Sequence, residues 1–243
     1  MSEGLVLETE DHVLTATVDR GDDNSFSGEM IDDLSDAIEA AGRDEEVRFV
    51  RIRARGPAFC LGRDRQGQTP DELRAEAGRI VRINETCKTS PLTIICEVQG
   101  DAAGFGAGLV ASSDVAIAAD HASIYFPEIN AGLAPTIVLS WVAYALPHKT
   151  AFDMAATGRK MPVSEAARWG LVSETVPASQ LESRVNEKIS ELTAMHPLGL
   201  REVKRFMGHI RSLDPVAAAR NSIDPLVLGA LRLRSEAAAC GGD

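Results

Sequence analysis

GDAAGFGAGLVASSD, residues 100–114, is the stretch from which the rest of the chain is read. Ten of its fifteen residues are Gly, Ala or Ser, and it lies between two apolar runs, LTIICEV (92–98) and VAIAA (115–119). That order predicts a strand, a bare turn entering a helix, and a second strand. Bare backbone serves a bound phosphate, a closely packed neighbouring element, or a reacting atom that needs backbone N–H groups. No Gly-Lys-Ser/Thr follows, so the turn is not a P-loop. The glycines at 104, 106 and 108 do not fit G-x-G-x-x-G, and no acidic ribose ligand follows at the expected distance. The packing and reacting-atom readings both stay open on this segment alone.

Outward from it, the chain has 243 residues, enough for one large domain or one and a half average ones. With 44% hydrophobic and 25% charged residues it reads as an ordinary soluble protein able to bury a core. No apolar run approaches the ~20 residues of a membrane helix. The acidic start, MSEGLVLETEDH, lacks the basic-then-apolar order of a signal peptide, so a cytoplasmic location is expected. A formal net charge of −11 argues against nucleic acid as a partner, while local arginines such as Arg63 and Arg65 leave room for a small anionic ligand. Cys60, Cys87, Cys96 and Cys240 show no CxxC spacing and the five histidines no ligand spacing, so no metal site is expected.

The first fifty residues predict strand, turn, helix, strand. HVLTATVD alternates, Ser27 is placed to cap a helix carrying Met30, Leu34, Ile38 and Ala41 on one face, and VRFVRIRA is β-branched. A helix is expected from about Pro70 to Cys87, then a third strand opened by Pro91 and closed by Gly100. After the strand DVAIAAD helical pattern dominates, with one last helix through ARNSIDPLVLGALRLRSEAAA and a frayed CGGD tail. An α/β front half followed by helices reads as a core with a helical extension.

Three segments fall in a telling order: AFCLGRD (58–64), the opening stretch, and FPEINAGLAP (126–135). With NSFS (24–27), TGRKMPVSEAARWGLVSETVP and HPLGLREVKRFM, they resemble the signatures of the crotonase family, the enoyl-CoA hydratase/isomerase superfamily, over residues 5 to about 207. The resemblance implies an α/β fold, a spiral of ββα units over residues 1–193, with a C-terminal helical trimerisation region over 194–243. It implies acyl-CoA thioester substrates, coenzyme A arriving as part of the substrate, no permanently bound cofactor, and a homotrimer or dimer of trimers. It places two backbone N–H donors of an oxyanion hole on Arg63 and Phe105. It puts Cys60, Leu61, Gly62, Asp64, Gly104 and Gly108 against the substrate.

The carboxylates choose the chemistry. Hydratases of the family use two glutamates; here the second falls on Glu128 and the first on Gly108, which can be neither acid nor base. One base suits moving a proton between two carbons of an enoyl-CoA, with Glu128 as sole acid/base. Hydration survives if another group activates water; thioester hydrolysis, decarboxylation or acyl-CoA binding without chemistry are the further alternatives. The Arg63 side chain either binds a phosphate or carboxylate of the substrate or pairs with an acid such as Asp64. Asp101 and Glu97 are candidate substitute acids, and Asp114 is expected to be structural. The usual C-terminal family pattern is missing, with Arg232 and Arg234 as possible replacements.

Overall fold

The structure is a computed structural model and describes residues 2–240. The side chain of Cys240 and the end of the CGGD tail lie outside the described residues. The chain divides into two compact units, Met1–Leu192 and Thr193–Asp243.

The first unit begins with a hairpin, β1 (Leu5–Glu10) and β2 (Val13–Val18), paired antiparallel. The sequence reading missed β1, whose outward residues leave only Leu5 fully buried. A helix, α1 (Gly28–Ala41), then returns the chain to β3 (Phe49–Ala54), which lies parallel to β2. Ser27 Oγ accepts from Met30 N–H at 3.2 Å, and Met30, Ile31, Leu34 and Ile38 bury one face of α1 against the sheet. Complete burial of such a side chain stabilises by about 1.5–3 kcal/mol.

From β3 onward the same unit repeats. A long strand is followed by a short one and then a helix: β3, β4 (Ala58–Cys60), α2 (Pro70–Thr89); β5 (Thr93–Val98), β6 (Asp101–Ala103), α3 (Phe105–Ser112). A third turn runs through β7 (Val115–Ala119) and β8 (Ser123–Tyr125) into a 3₁₀ turn, Pro127–Ala131, and α4 (Thr136–Ala145). Then come α5 (His148–Thr157), β9 (Met161–Pro162), α6 (Val163–Trp169), β10 (Glu174–Val176) and α7 (Leu181–Thr193). The long strands make one sheet in the order β1-β2-β3-β5-β7-β10, parallel beyond the hairpin. The short ones make a second, β4-β6-β8-β9. Two sheets fed alternately by one chain are a spiral of ββα units. Five of the six residues of TIICEV in β5 are buried, as expected for a parallel strand covered on both faces.

The opening stretch now has a packing account. A β-carbon on Gly100 would collide with the Pro57 carbonyl, and one on Gly106 with the Cys60 carbonyl. Both glycines let β6 and α3 lie directly on β4. Asp114 closes the stretch structurally: its Oδ2 accepts from Ile94 N–H at 2.8 Å and its own N–H donates to the Ile94 carbonyl.

The second unit holds α8 (Pro197–Ile210), α9 (Pro215–Asn221) and α10 (Ile223–Cys240). The single last helix read from sequence is two, because Asp214 caps α9 through its carboxylate to Val216 and Ala217 N–H and the helix ends at Ser222. Val203, Met207, Leu226 and Leu228 of this unit are exposed.

Candidate active site

Two loops and one helix end surround a cavity of about 360 Å³ in the first unit. The first loop follows β4. Asn24, fully buried, fixes its approach by donating to the carbonyls of Arg55 (2.6 Å) and Ala58 (2.7 Å) while accepting from Arg20 N–H. A parallel bridge joins Phe26 to Arg63: Phe26 N–H donates to the Gly62 carbonyl (3.1 Å) and Asp64 N–H to the Phe26 carbonyl (2.8 Å). That pattern uses the groups on either side of Arg63 and leaves its own N–H outside the ladder.

The helix end is the start of α3. Phe105 is its first residue, and the first turn of a helix leaves N–H groups without intrahelical acceptors. The Phe105 ring is buried and packs on Phe26 with centroids 5.0 Å apart, which ties the helix start to the bridge beside Arg63. Leu61, Gly62, Arg63, Gly104 and Phe105 all line the cavity.

Glu128 enters from the opposite side, on the 3₁₀ turn after β8. Its Oε1 lies 2.5 Å from where a β-carbon on Gly104 would stand, so the carboxylate rests on the bare N-cap of α3. Gly104 has φ +51°, a conformation that L side chains rarely adopt, so geometry and space both demand glycine. Glu128 Oε2 is buried and has no hydrogen-bond partner among the described residues. The carboxylate thus lies beside the N-terminus of α3 in the wall of the cavity.

Other residues singled out from sequence lie beside the cavity rather than on it. Cys60 is fully buried beneath the loop, where burial pushes its thiol up to about 12 and its Sγ donates to the Gly62 carbonyl at 3.2 Å. It is a protonated packing residue at neutral pH. Asp64 turns to Arg20 in a two-pronged pair, 3.0 and 2.8 Å. Gly108 sits one turn deeper in α3, where an added β-carbon would touch Val138 at 3.4 Å and Asn84 Oδ1 at 3.7 Å. The candidate substitute acids are committed elsewhere. Glu97 is salt-bridged to Arg51 in the interior, and Asp101 accepts from Ser123 N–H and Lys160 Nζ.

Of the two readings of the Arg63 side chain, the structure shows pairing with an acid, and that acid is Glu76. Arg63 Nη1 donates to Glu76 Oε2 at 2.8 Å and to the Asp64 carbonyl at 2.9 Å. Glu76, on α2, lines the cavity together with Leu73 and Ile80 of the same helix. The sequence reading did not single it out. The available signal was Glu72 and Glu76 one turn apart, directly after the capping residue Thr69. Among the described residues no group of three His, Cys, Asp or Glu side chains could hold a metal ion.

A spiral of ββα units whose cavity is lined by Arg63, Phe105, Glu76 and Glu128 defines the class, an α/β scaffold with a carboxylate-bearing pocket. The chain belongs to the enoyl-CoA hydratase/isomerase family, whose model matches residues 8–223. It is 33% identical over 182 residues to the mitochondrial enoyl-CoA hydratase domain-containing protein 3 of rat, a match covering 70% of this chain and 59% of that protein. It is 26% identical over 215 residues to the 1,2-epoxyphenylacetyl-CoA isomerase of Escherichia coli K12, covering 84% of this chain and 82% of that one. In fold it is similar to an enoyl-CoA hydratase of Mycobacterium smegmatis, with a TM-score of 0.88, 24% identity, and coverage of 94% and 91% of the two chains.

Proposed function

We propose that the chain processes acyl-CoA thioesters, shifting the double bond of a 3-enoyl-CoA to the 2 position, with Glu128 as sole acid and base. The N–H groups of Arg63 and Phe105 hold the thioester oxygen. In the first step the Glu128 carboxylate takes a proton from C2, and the electron pair of that C–H bond moves onto the carbonyl oxygen to give a dienolate. In the second, the oxyanion collapses, C4 takes the proton back from Glu128, and the double bond comes to rest between C2 and C3. The carboxylate is regenerated and no co-reactant is consumed. Two preorganised N–H donors are suited to charge that develops on that oxygen, and removing one such donor typically costs about 10²–10³ in rate.

The observation that carries this reading is the Glu128 carboxylate itself, beside Gly104 and Phe105, with Oε2 buried and unpartnered among the described residues. Position 108 supports one-base chemistry in preference to hydration. The family's hydratases carry their first glutamate there; here a glycine faces Val138 at contact distance. Coenzyme A enters as part of the substrate, and the reading needs no resident cofactor. Assembly into a homotrimer or dimer of trimers through the C-terminal helices belongs to the same proposal, supported by exposed apolar residues such as Val203, Met207 and Leu226, and sedimentation velocity tests it.

One assay decides the reaction. The purified protein is given 3-enoyl-, 2-enoyl- and 3-oxoacyl-CoA esters while 2-enoyl absorbance and free thiol are followed. Gain of absorbance from the 3-enoyl ester without thiol supports isomerisation. Loss of absorbance from the 2-enoyl ester means hydration, thiol release means hydrolysis, and silence on all three removes the catalytic reading.

A further inference from the structure

Arg63 has no neighbouring strand beyond its bridge to Phe26, and residues 64–69 carry no strand or helix of their own. Beyond Asp64, which Arg20 and the Phe26 carbonyl hold, the loop is gripped by a pair of carboxylates one turn apart on α2. Glu72 Oε2 accepts from Gln68 N–H (2.8 Å) and Thr69 N–H (2.9 Å). Glu76 Oε1 accepts from Gln66 N–H (2.8 Å) and Gly67 N–H (2.6 Å), while its Oε2 takes the Arg63 guanidinium. The Glu76 and Arg63 side chains are only 12% and 18% exposed, so water competes weakly for these bonds. Gly67 lets the loop lie on the helix, since a β-carbon there would stand 3.0 Å from Leu73 N.

We propose that Glu76 is a positioning residue for the Arg63 N–H donor. The inference rests on the oxyanion-hole reading above and extends it to a residue of the cavity wall to which that reading gave no part. One carboxylate grips the Arg63 side chain and, with its other oxygen, the loop three and four residues further on. Arg63 is thereby clamped between Phe26 on one side and α2 on the other. A donor must stay within a few tenths of an ångström of its place to favour an oxyanion over the neutral carbonyl. Arg63 Nη1 is spent on this clamp, so the substrate meets the residue's backbone rather than its charge.

The test is the keto–enolate balance of acetoacetyl-CoA bound to the protein, because the enolate absorbs in the near ultraviolet where the neutral form does not. The wild-type protein is expected to raise the enolate fraction over that in free solution. Glu76→Ala is expected to lower kcat on a 3-enoyl-CoA about tenfold, with KM changed less than about threefold, and to lower the bound enolate fraction. This is a smaller loss than removing a donor outright. Glu76→Gln keeps an acceptor for the loop N–H groups but loses the charge toward Arg63, and should fall between the two. A wild-type enolate fraction in both variants overturns the proposal, even if they melt earlier, since a purely structural role would leave that balance unmoved. Should Glu76→Ala not fold, Glu76→Gln decides alone: a lowered enolate fraction supports the proposal and an unchanged one overturns it. A wild-type protein that binds acetoacetyl-CoA without forming enolate removes the oxyanion-hole reading and, with it, the role given to Glu76.

Discussion

Glu128 and Gly104 occupy one another's space: the carboxylate Oε1 lies 2.5 Å from the β-carbon position that glycine leaves empty. The catalytic candidate and the bare helix entry are therefore a single feature seen from two ends of the sequence. Gly104→Ala should force the carboxylate out of its seat and also place a side chain at φ +51°. A backbone strain of about 1–3 kcal/mol is expected, read as an earlier denaturation midpoint, together with loss of double-bond transfer. An alanine variant with wild-type turnover would mean that the carboxylate works from another position.

Glu128→Gln keeps the shape of the side chain and removes its basicity. Isomerisation of a 3-enoyl-CoA should fall by about 10²–10⁴, the usual worth of a positioned acid/base. Binding of a saturated acyl-CoA, measured by calorimetry, should stay within a few-fold of wild type. Retained turnover in this variant would transfer the proton to a different group.

The acid behaviour of Glu76 follows from its surroundings. The Arg63 guanidinium first, then the N–H groups of Gln66 and Gly67, hold the carboxylate in its charged form and lower its pKa from 4.5 to about 2. A lowered folded-state pKa means that folding favours the deprotonated form. The stabilisation is thus complete above about pH 4.5 and drains away as pH falls toward 2. Melting temperatures of wild type and Glu76→Gln should differ most near neutral pH and converge on acidification. A gap that stays constant down to about pH 3 would show that the charge is not what is being held.

Glu97 offers a test of the core. The Arg51 guanidinium, 9% exposed, is paired with Glu97 and also donates to Asn186 Oδ1 at 3.0 Å. Glu97→Ala leaves this buried cation with Asn186 and the more exposed Glu182 carboxylate, 3.9 Å away, and about 3 kcal/mol of stability, the low end for a broken buried pair, should be lost. Equilibrium denaturation measures it, and a loss under about 1 kcal/mol would mean that water reaches Arg51.

Much of this was legible in the chain. The alternation of β2, the Ser27 cap, the apolar face of α1 and the run TIICEV each follow from local rules that the fold obeys. The second sheet was not, because its strands are two or three residues long, too short to show a period of two. Within the candidate site, Leu61, Gly62, Arg63, Gly104, Phe105 and Glu128 come together on one cavity. Asp64 and Cys60 sit beside it, since a GRD sequence does not say which way its aspartate turns and Arg20 lies 44 residues away. Glu76 reaches Arg63 over a separation of 13 residues, part loop and part helix, a closure that neither helical nor strand periodicity records.

Position 108 carries the last test. A glycine in the middle of α3 costs helix stability, roughly 1 kcal/mol relative to alanine, so the absence of a side chain there has a cause. The nearest atoms to an added β-carbon are the two methyls of Val138, both at 3.4 Å, and Asn84 Oδ1 at 3.7 Å. A methyl would fit in contact; the four further heavy atoms of a glutamate need room that Val138 and Asn84 border. Gly108→Ala should accordingly fold and isomerise much as wild type does. Gly108→Glu alone should lose stability without gaining a new reaction, whereas Gly108→Glu combined with Val138→Ala supplies both the acid and its space. That double variant is expected to hydrate a 2-enoyl-CoA, seen as falling absorbance without thiol release. If it stays inactive toward the 2-enoyl ester while folded and still isomerising, the missing acid is not what separates this site from a hydratase. The difference would then lie in how the cavity admits water.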